Sequence, residues 1–343
     1  MNLGQIIINY DGGGAERVAV TNSNFLSKRN IENYLFVIEP SFANNFTKNL
    51  ILLADKQRFN FLRIILASIN LRRLIKSMKI THLHAHCEPA ELVLALATFN
   101  DKNIKLFITE HIDDPWKNHK ILGFVVRYHL RKRKAKFIGC RNFEHLSKFD
   151  EAYDVIPNPF RQKFTDFIVD CDSEMKRIFL PQRLIKRKNI ELIFQAAYEL
   201  NLKIPIIILG DGNYRSYLEN LAQEFQLNTE FLGFKENPWE YLKNGDLVVS
   251  ASEFEGEPMS IIEAIACNAP ILLSDIEGHA FAFSNEMQKF SNQRDLVTTL
   301  ELIINKNLKL SQLQSDEDFR ETFLRSHDPN VVVDRWITKY LSV

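Results

Sequence analysis

The chain has 343 residues, of which 45% are hydrophobic and 25% are charged, and its basic and acidic side chains are equal in number. These values are ordinary for a globular protein, and the length is enough for two domains with full cores. No stretch contains about 18 uncharged apolar residues, so we expect no transmembrane helix. With zero net charge, we also expect no nucleic-acid partner.

The two halves of the chain carry opposite charge. Residues 1–160 contain 23 basic and 15 acidic side chains, a net charge of +8, whereas residues 161–343 contain 20 and 28, a net charge of −8. A basic half joined to an acidic half indicates that the halves have different partners.

The cysteines and the N-terminus suggest a cytoplasmic protein. Four cysteines are scattered without paired spacing, at positions 87, 140, 171 and 267, which is typical of reduced thiols. The first residues, MNLGQIIINYDGGG, lack the basic region, the long apolar core and the cleavage site of a signal peptide. They predict a first strand instead.

In chain order, short apolar runs alternate with amphipathic helical patterns. Residues 6–9 predict the first strand, and a turn at 11–14 leads into a helix that begins near Ala15. Further strands are predicted at 34–38, 80–84, 106–109, 136–139 and 153–156, with helices at 61–78, 90–98 and 121–133. Repeated alternation of strand, turn and helix is the pattern of a doubly wound α/β domain.

A polar segment at 161–174 predicts a linker, and a second α/β series follows it. Its strands are predicted at 178–180, 205–209, 230–232 and 247–250, and its helices at 190–200, 214–225, 297–304 and 331–341. Two such series predict two Rossmann-like domains that bind ligands in a crevice beyond their strand ends.

The stretch SEFEGEPMSIIEAIACNAPILL, residues 252–273, has the most specific pattern in the chain. Pro258 suits the first turn of a helix, because a helix needs no amide hydrogen there. Asn268 can adopt the left-handed backbone conformation that ends a helix, and Pro270 prevents the helix from starting again. The amides of residues 259–261 are then expected to face a bound anion.

Two carboxylates flank this helix start. Glu255 lies in the loop, and Glu263 lies eight residues on, inside the helix. An isolated pair of this kind is typical of solvated surface charge, but the whole pattern resembles the donor-binding motif of retaining glycosyltransferase family 4. The resemblance implies that Glu255 faces the sugar of a nucleotide donor and Glu263 binds the ribose hydroxyls. It also implies that Pro258, Met259 and Ser260 face the diphosphate.

Members of this family have the GT-B fold, in which two doubly wound Rossmann-like α/β domains face each other across a cleft. The resemblance implies an N-terminal acceptor-binding domain at 1–160 and a C-terminal nucleotide-sugar-binding domain at 175–327. In relatives the last helix crosses back to the first domain, and we expect residues 328–343 to do so here.

Two cations follow the first predicted strand of the second domain. Arg183 and Lys188 resemble the family's diphosphate-binding pair, and an Arg side chain can bind phosphate oxygens in a bidentate way. Gln182 and Asn189 depart from the family pattern, in which both positions are glycine. The alternative is an exposed basic helix start.

Three glycine turns resemble further parts of the family's donor site. Gly13 and Gly14, within GGGAER, would let the backbone approach the donor or the acceptor. Gly210 lies in a Gly-Asp-Gly turn, and Phe234 follows Gly233 in the segment near the nucleobase. Each also suits an ordinary turn after a strand.

Histidines cluster at a predicted strand end. His82, His84 and His86 alternate, so they share one face of the strand and a zinc site has to be considered. No Cys or carboxylate cluster obviously completes such a site, and we expect no metal. His111 resembles the family histidine that approaches the donor sugar, although it also suits a satisfied loop histidine.

The combined expectation is a retaining, metal-independent hexosyltransferase without a cofactor. It would move a sugar from UDP-hexose or UDP-N-acetylhexosamine to a glycan or lipid-linked glycan in surface polysaccharide synthesis (O-antigen, capsule or lipopolysaccharide). Its catalytic residues would be Glu255, His111, Arg183 and Lys188. Two alternatives stay open, namely a GT-B sugar-nucleotide epimerase and a non-catalytic nucleotide-sugar-binding protein.

Two basic helices suggest where the protein works. Lys120, Arg127, Arg131 and Lys134 are spaced to lie on one side of a helix, and the helix at 61–78 adds four cations. A basic amphipathic helix binds an anionic membrane surface. We expect peripheral attachment to the inner membrane leaflet by charge, whereas the apolar side of the helix is expected to pack on the sheet.

Overall fold

The structure is a computed structural model that describes residues 1–10, 13–39, 49–54, 60–113, 115–147, 153–161, 168–169 and 174–342. It divides into two compact units. The first unit comprises Met1–Pro159 together with His327–Val343, and the second comprises Phe160–Ser326. Part of the turn predicted at 11–14 and most of the predicted linker lie outside the described residues.

Strands and helices alternate along most of the described chain. The strands are β1 (Leu3–Ile7), β2 (Asn33–Val37), β3 (Leu50–Leu52), β4 (His82–His86), β5 (Lys105–Glu110), β6 (Lys136–Gly139), β7 (Asp154–Val155), β8 (Arg177–Pro181), β9 (Ile206–Leu209), β10 (Thr229–Gly233), β11 (Asp246–Ser250), β12 (Ile271–Ser274) and β13 (Lys289–Phe290). The helices are α1 (Gly14–Lys28), α2 (Asn60–Ser77), α3 (Glu88–Ala97), α4 (Lys120–Lys132), α5 (Glu144–Ser147), α6 (Ile190–Glu199), α7 (Arg215–Glu224), α8 (Met259–Ala266), α9 (Gln293–Ile304), α10 (Glu317–Ser326) and α11 (Pro329–Leu341).

The described part of the first unit is built on a parallel sheet in the order β3-β2-β1-β4-β5-β6-β7. On one face α2, α3 and α4 pack side by side over a core that includes Phe36, Leu83 and Ile108. On the other face α1 packs against α11 over Leu3, Phe107 and Ile138. The strand order reverses between β1 and β4, so their carboxyl ends flank the switch point at which doubly wound folds bind ligands.

The last helix belongs to the first unit. Asp328 caps α11, because its side-chain oxygen accepts a hydrogen bond from the amide of Asn330 at 2.7 Å. Trp336 and Tyr340 are fully buried in the core beneath α1 and α11. The helix expected at 328–343 therefore packs on the N-terminal α/β sheet.

The described part of the second unit contains a parallel sheet in the order β10-β9-β8-β11-β12-β13. Its inner strands are continuous apolar runs, such as IIIL in β9, because helices cover both faces of a doubly wound sheet. Every residue of α8 except Ser260 is buried, and α10 packs against this helix. The switch point of this sheet lies between β8 and β11.

The two parallel α/β sheets predicted from the alternation are confirmed, and the differences lie at element boundaries. Helix α9 begins four residues earlier than predicted, because the Asn292 side chain accepts from the amide of Asp295 at 3.0 Å and caps it. Strand β4 begins two residues later than predicted, at His82. The sequence pattern does not predict β3, β13 or α5, which are too short to show a period, nor α10, which is largely exposed.

Candidate active site

The predicted donor residues of the second unit gather at the carboxyl edge of its sheet. The loops that follow β8 and β9 are joined there, because the amide of Leu184 donates to the carbonyl of Asp211 at 3.0 Å. The loop after β11 is joined to the same region through the amide of Glu253, which donates to the carbonyl of Arg187 at 2.9 Å. These neighbouring loops, with the one after β10, carry Arg183, Lys188, Gly210, Phe234 and Glu255.

The Gly-Asp-Gly turn after β9 packs tightly against the loop that carries Arg183. A Cβ atom at Gly210 would lie 2.0 Å from the carbonyl oxygen of Gln182, and one at Gly212 would lie 2.2 Å from that of Leu184. Both glycines are therefore needed for close approach of two backbones. The turn sets the position of the Arg183 loop, which an ordinary surface turn would not do.

A buried ion pair joins two of the predicted catalytic residues. The Lys188 ammonium donates to Glu255 Oε1 at 2.6 Å, and both residues are at least nine-tenths buried. Arg187 Nη2 lies 3.9 Å from the other carboxylate oxygen. Burial alone would raise the pKa of Glu255, but Lys188 and Arg187 outweigh it and lower the pKa to about 2. The carboxylate is therefore ionised at neutral pH.

The two departures from the family pattern around Lys188 are accommodated by the backbone. Asn189 has φ 49° and ψ 42°, the left-handed conformation that glycine adopts without strain and that asparagine also tolerates. Gln182 is buried with its carbonyl against Gly210, and Arg183 remains exposed on the same loop. Arg183 is thus placed to reach a ligand, whereas Lys188 is already paired.

The structure gives Glu263 partners that the sequence does not predict. Its carboxylate accepts from Arg161 Nε at 2.8 Å and Arg161 Nη2 at 3.2 Å, and from Trp239 Nε1 at 2.6 Å. Glu263 and Trp239 are almost fully buried. Both carboxylate oxygens of Glu263 therefore already accept hydrogen bonds from protein side chains, and its binding of ribose hydroxyls stays a prediction. Arg161 lies about 100 residues away in the chain, at a distance where no sequence spacing links the two.

At the start of α8, one of the three amides that were expected to face an anion already has a hydrogen-bond partner. Helix α8 begins at Met259 with Pro258 as its N-cap, and Asn268 ends the turn after it with φ 55°, as predicted. The amide of Ile261, however, donates to the carbonyl of Pro258 at 3.0 Å. The expected set of anion-facing amides therefore shrinks to Met259 and Ser260.

A buried histidine that the sequence analysis does not single out lies near the Lys188–Glu255 pair. His279 Nδ1 donates to the carbonyl of Ser274 at 2.9 Å, so its Nε2 is the unprotonated nitrogen. Burial lowers the pKa of His279 to about 4, and the nearby Glu255 carboxylate partly opposes that effect. A Cβ atom at Gly278 would lie 2.2 Å from the carbonyl oxygen of Glu255, so this segment packs directly on the Glu255 loop.

In the first unit, three side chains form a chain from the core to the sheet edge beyond β1 and β4. Gln5 Nε2 donates to the carbonyl of Ala19 at 3.3 Å, so Gln5 Oε1 accepts from His86 Nε2, also at 3.3 Å. His86 Nδ1 then accepts from His111 Nε2 at 3.1 Å. His111 is therefore held as a neutral imidazole with Nδ1 as its acceptor atom. Gly13 and Gly14, which begin α1, follow β1 at the same edge.

Burial keeps His84, His86 and His111 neutral at neutral pH. It lowers the pKa of His84 to about 3 and of His111 to about 4, and it lowers the pKa of His86 well below its usual range. The rings of His84 and His86 share one face of β4, as predicted, with centroids 4.1 Å apart. His84 bonds to Tyr340 Oη at 2.8 Å and to Thr109 Oγ1 at 2.6 Å. Within the described ranges, no three His, Cys, Asp or Glu side chains are arranged to hold a metal ion.

A buried ion cluster lies beneath α4. Arg127 donates to Glu91 from Nε at 3.0 Å and from Nη2 at 2.7 Å, and its Nη2 lies 2.5 Å from Glu110 Oε1. Trp116 Nε1 also donates to Glu91 at 3.0 Å. Burial raises the pKa of Glu91. At Glu110, Arg127 and, to a smaller extent, His145 outweigh burial and lower the pKa. One cation thus serves two buried carboxylates.

Because Arg127 belongs to this cluster, the prediction that Lys120, Arg127, Arg131 and Lys134 form one basic side of α4 is wrong. Arg127 points into the unit because two buried carboxylates require a cation. Lys134 lies beyond the end of the helix in a left-handed conformation, with φ 57°. The exposed side of α4 is apolar, in contrast to the expectation that its apolar residues pack on the sheet.

Two family models match this chain. The model described as Glycosyltransferase Family 4 matches residues 12–158, and the model described as Glycosyl transferases group 1 matches residues 162–322. Between them they cover nearly all of both α/β sheets. The chain belongs to glycosyltransferase family 4.

The curated proteins to which this glycosyltransferase is similar include an uncharacterized glycosyltransferase of Methanocaldococcus jannaschii, 33% identical over 157 residues, which are 44% of this chain and 37% of that protein. The Campylobacter jejuni enzyme named GalNAc-alpha-(1->4)-GalNAc-alpha-(1->3)-diNAcBac-PP-undecaprenol alpha-1,4-N-acetyl-D-galactosaminyltransferase is 25% identical over 281 residues, 77% of each chain. The chain spans only 30 to 50% of the length of three of the curated relatives that it matches.

Solved structures share the fold of the whole chain. Sucrose-phosphate synthase from Thermosynechococcus elongatus has a TM-score of 0.79 and 14% identity, over 100% of this chain and 98% of that chain. Anabaena HepE, solved in complex with UDP-glucose, has a TM-score of 0.79 and 15% identity over 100% of both chains. The predicted GT-B fold of two Rossmann-like domains is confirmed.

We expect the first unit of the glycosyltransferase to lose stability as the pH falls from about 6.5 towards 4. Unfolded histidines titrate near about 6.5, whereas burial lowers the pKa of His84 to about 3 and of His111 to about 4. Below pH 6.5 the unfolded chain therefore binds protons that the folded chain does not, and the free energy of unfolding falls with pH.

Urea unfolding at about pH 7.5 and about pH 5 measures this effect. The variant His84→Gln keeps a donor and an acceptor for Tyr340 and Thr109 but has no titrating group, so its stability should change less between the two pH values. An equal pH dependence in the native chain and in this variant would contradict the explanation.

Proposed function

We propose that this glycosyltransferase is a retaining, metal-independent hexosyltransferase that uses UDP-hexose or UDP-N-acetylhexosamine. The acceptor would be a glycan or lipid-linked glycan of a surface polysaccharide. The observation that supports a sugar-nucleotide site most directly is the buried Lys188–Glu255 pair at the switch point of the second sheet, beside the start of α8. The choice of uridine is supported by HepE, which was solved with UDP-glucose. The choice of a lipid-linked acceptor is supported by two Campylobacter jejuni relatives whose names include undecaprenol.

In this proposal the bond between the sugar's anomeric carbon and the diphosphate breaks, and an acceptor hydroxyl oxygen bonds to that carbon on the same face. The hydroxyl proton passes to an oxygen of the departing diphosphate, and the nucleoside diphosphate is released. Lys188 has three N–H donors and uses one on Glu255, so two remain for phosphate oxygens. Arg183 and the amides of Met259 and Ser260 would add further stabilisation of the departing charge.

Glu255, held in place by Lys188, would accept hydrogen bonds from the sugar hydroxyls. His111 would accept one at Nδ1, the nitrogen that its contact with His86 leaves as an acceptor. These roles need an ionised carboxylate and a neutral imidazole at working pH, and the lowered pKa values of both residues supply them.

The test is a donor panel with UDP-glucose, UDP-N-acetylglucosamine and their galacto epimers, with and without an undecaprenyl-diphosphate-linked sugar, in the presence of a chelator. A glycosylated lipid with retained anomeric configuration supports the proposal. A new sugar nucleotide formed without acceptor would identify an epimerase, and binding without turnover would identify a binding protein. Loss of activity in the presence of the chelator would instead indicate a metal-dependent enzyme and would direct the search for a metal site to His82, His84 and His86.

We expect Glu263→Gln to weaken binding of UDP by about tenfold or more, since losing a bond to a charged acceptor costs about 1.5–3 kcal/mol. Calorimetry with UDP measures the affinity. Glu263→Ala is a poor test of this role, because it would also leave the donors of the partly buried Arg161 and the buried Trp239 without an acceptor.

Arg161→Met is the matched control for Glu263, since it removes the partner and keeps the carboxylate. If Glu263 is purely structural, both variants lower the free energy of unfolding and neither changes UDP affinity. A loss of affinity confined to Glu263→Gln, with similar stability in the two variants, supports the ribose role.

A further inference from the structure

Helix α4 of the first unit presents an apolar surface to solvent. Its inward stripe is Gly123, Val126, Arg127 and Leu130, so the helix buries a cation. Five large hydrophobic side chains point outward and are exposed by 83, 43, 69, 56 and 55% in the order Ile121, Leu122, Phe124, Val125 and Tyr128. Contiguous exposed apolar surface of this kind marks an interaction site in a globular protein.

Neighbouring helices extend this surface. Helix α3 packs between α2 and α4 and exposes Leu96, and Phe99 is exposed just beyond the end of this helix. On α2, Leu62, Leu66 and Ile69 are exposed at spacings of four and three, so they lie on one side of that helix. We call these outward apolar residues of α2, α3 and α4 the apolar face.

The charges around the apolar face are all positive on α2 and α4. Neither α2 nor residues 115–135 contain a single Asp or Glu. Arg73 and Lys76 continue the exposed row of α2 beyond Ile69, and Lys120 and Lys132 are exposed at the two ends of α4. An apolar centre with a cationic border is complementary to a bilayer interface that contains anionic lipid.

We propose that the apolar face inserts into the interface of a membrane containing anionic lipids, with Ile121, Phe124, Val125 and Tyr128 entering the acyl boundary. The proposal rests on the proposed function in that a lipid-linked acceptor brings the enzyme to such a surface. It differs from attachment by charge alone, because Arg127 is buried and unavailable to lipid. A symmetric contact between two copies would instead bring the cationic borders of both copies together, which is unfavourable.

Sedimentation of the full chain with vesicles tests this surface. Vesicles of phosphatidylcholine with about one-third phosphatidylglycerol should bind the native protein more strongly than phosphatidylcholine alone, because of the cationic border. The variant Ile121→Ser/Phe124→Ser should bind at least about tenfold more weakly, since each buried apolar side chain contributes strongly to partitioning. Leu341→Ser is the control, because Leu341 is 69% exposed on α11, which packs on the opposite side of the sheet.

Salt separates insertion from attraction by charge. In about 0.5 M salt, where exposed charges are screened, the native chain should keep part of its binding and the double serine variant none. Donor turnover with a soluble acceptor and no vesicles should be equal in the native chain and the double serine variant. This assay tests the proposed glycosyltransferase activity independently of membrane binding. Native protein that ignores anionic vesicles at low salt overturns the inference. So does a dimer of the native chain that the serine variant abolishes.

Discussion

Replacing Lys188 with methionine is expected to abolish sugar transfer and to destabilise the second unit at the same time. The ammonium donates to a buried carboxylate at 2.6 Å, so its removal leaves Glu255 buried without its main partner. Breaking a buried pair from one side costs about 3–5 kcal/mol of unfolding free energy. Arg187, at 3.9 Å, is too distant to hydrogen-bond in its place. Turnover should fall by about a hundredfold or more, because the variant loses the charge that we propose stabilises the leaving diphosphate.

The measurement combines urea unfolding with initial rates on Lys188→Met, Glu255→Gln and the double variant. The double variant should recover much of the stability, because neither charge is then left unpaired, but none of the turnover. Lys186→Met, an exposed lysine on the same loop, should change neither quantity greatly. If Lys188→Met is as stable as the native chain, Lys188 and Glu255 do not form the buried pair.

Arg127→Met should destabilise the first unit by about 3–5 kcal/mol, since it leaves two buried carboxylates without a cation. Glu91 would lose two of its three hydrogen bonds, and the pKa of both carboxyls would rise. The variant should therefore regain part of its relative stability as the pH falls and Glu91 and Glu110 bind protons. This effect is opposite in sign to the one expected from the buried histidines of the native chain.

Urea unfolding of Arg127→Met beside Lys132→Met measures the difference, because Lys132 is an exposed cation on the same helix. A triple variant that also carries Glu91→Gln and Glu110→Gln should be more stable than Arg127→Met alone. Equal stability of the Arg127 and Lys132 variants would mean that the cluster contributes nothing, and that Arg127 is free to face a lipid headgroup.

The sequence by itself determined the elements and most of the candidate site in the second unit. Periods of two and 3.6 residues are local properties, so the alternation of strands and helices predicts two parallel sheets. The spacing from Glu255 to Asn268 is also local, and helix α8 begins and ends there as predicted. Parallel topology then brings the loops that carry Arg183, Gly210, Phe234 and Glu255 to one edge, because all strands of such a sheet end on the same side.

Only the tertiary structure decided which side chains are paired. Glu263 accepts bonds from Arg161 and Trp239, which lie 102 and 24 residues away in the chain. Gln5 sets the tautomer of His86 across 81 residues, and His86 in turn orients His111. No spacing encodes such contacts, because they depend on which strands become neighbours and on the cost of leaving a buried polar atom unpaired.

Helix α4 shows the limit of helical periodicity most clearly. The sequence shows that charged and apolar residues lie on different sides of it, but not which side faces the sheet. An isolated amphipathic helix would bury the apolar side. Here the carboxylates of Glu91 and Glu110 lie beneath the helix and require Arg127, so the helix is rotated and its apolar residues face outward. That choice depends on the desolvation cost of two distant carboxylates, which enters only when the chain is folded.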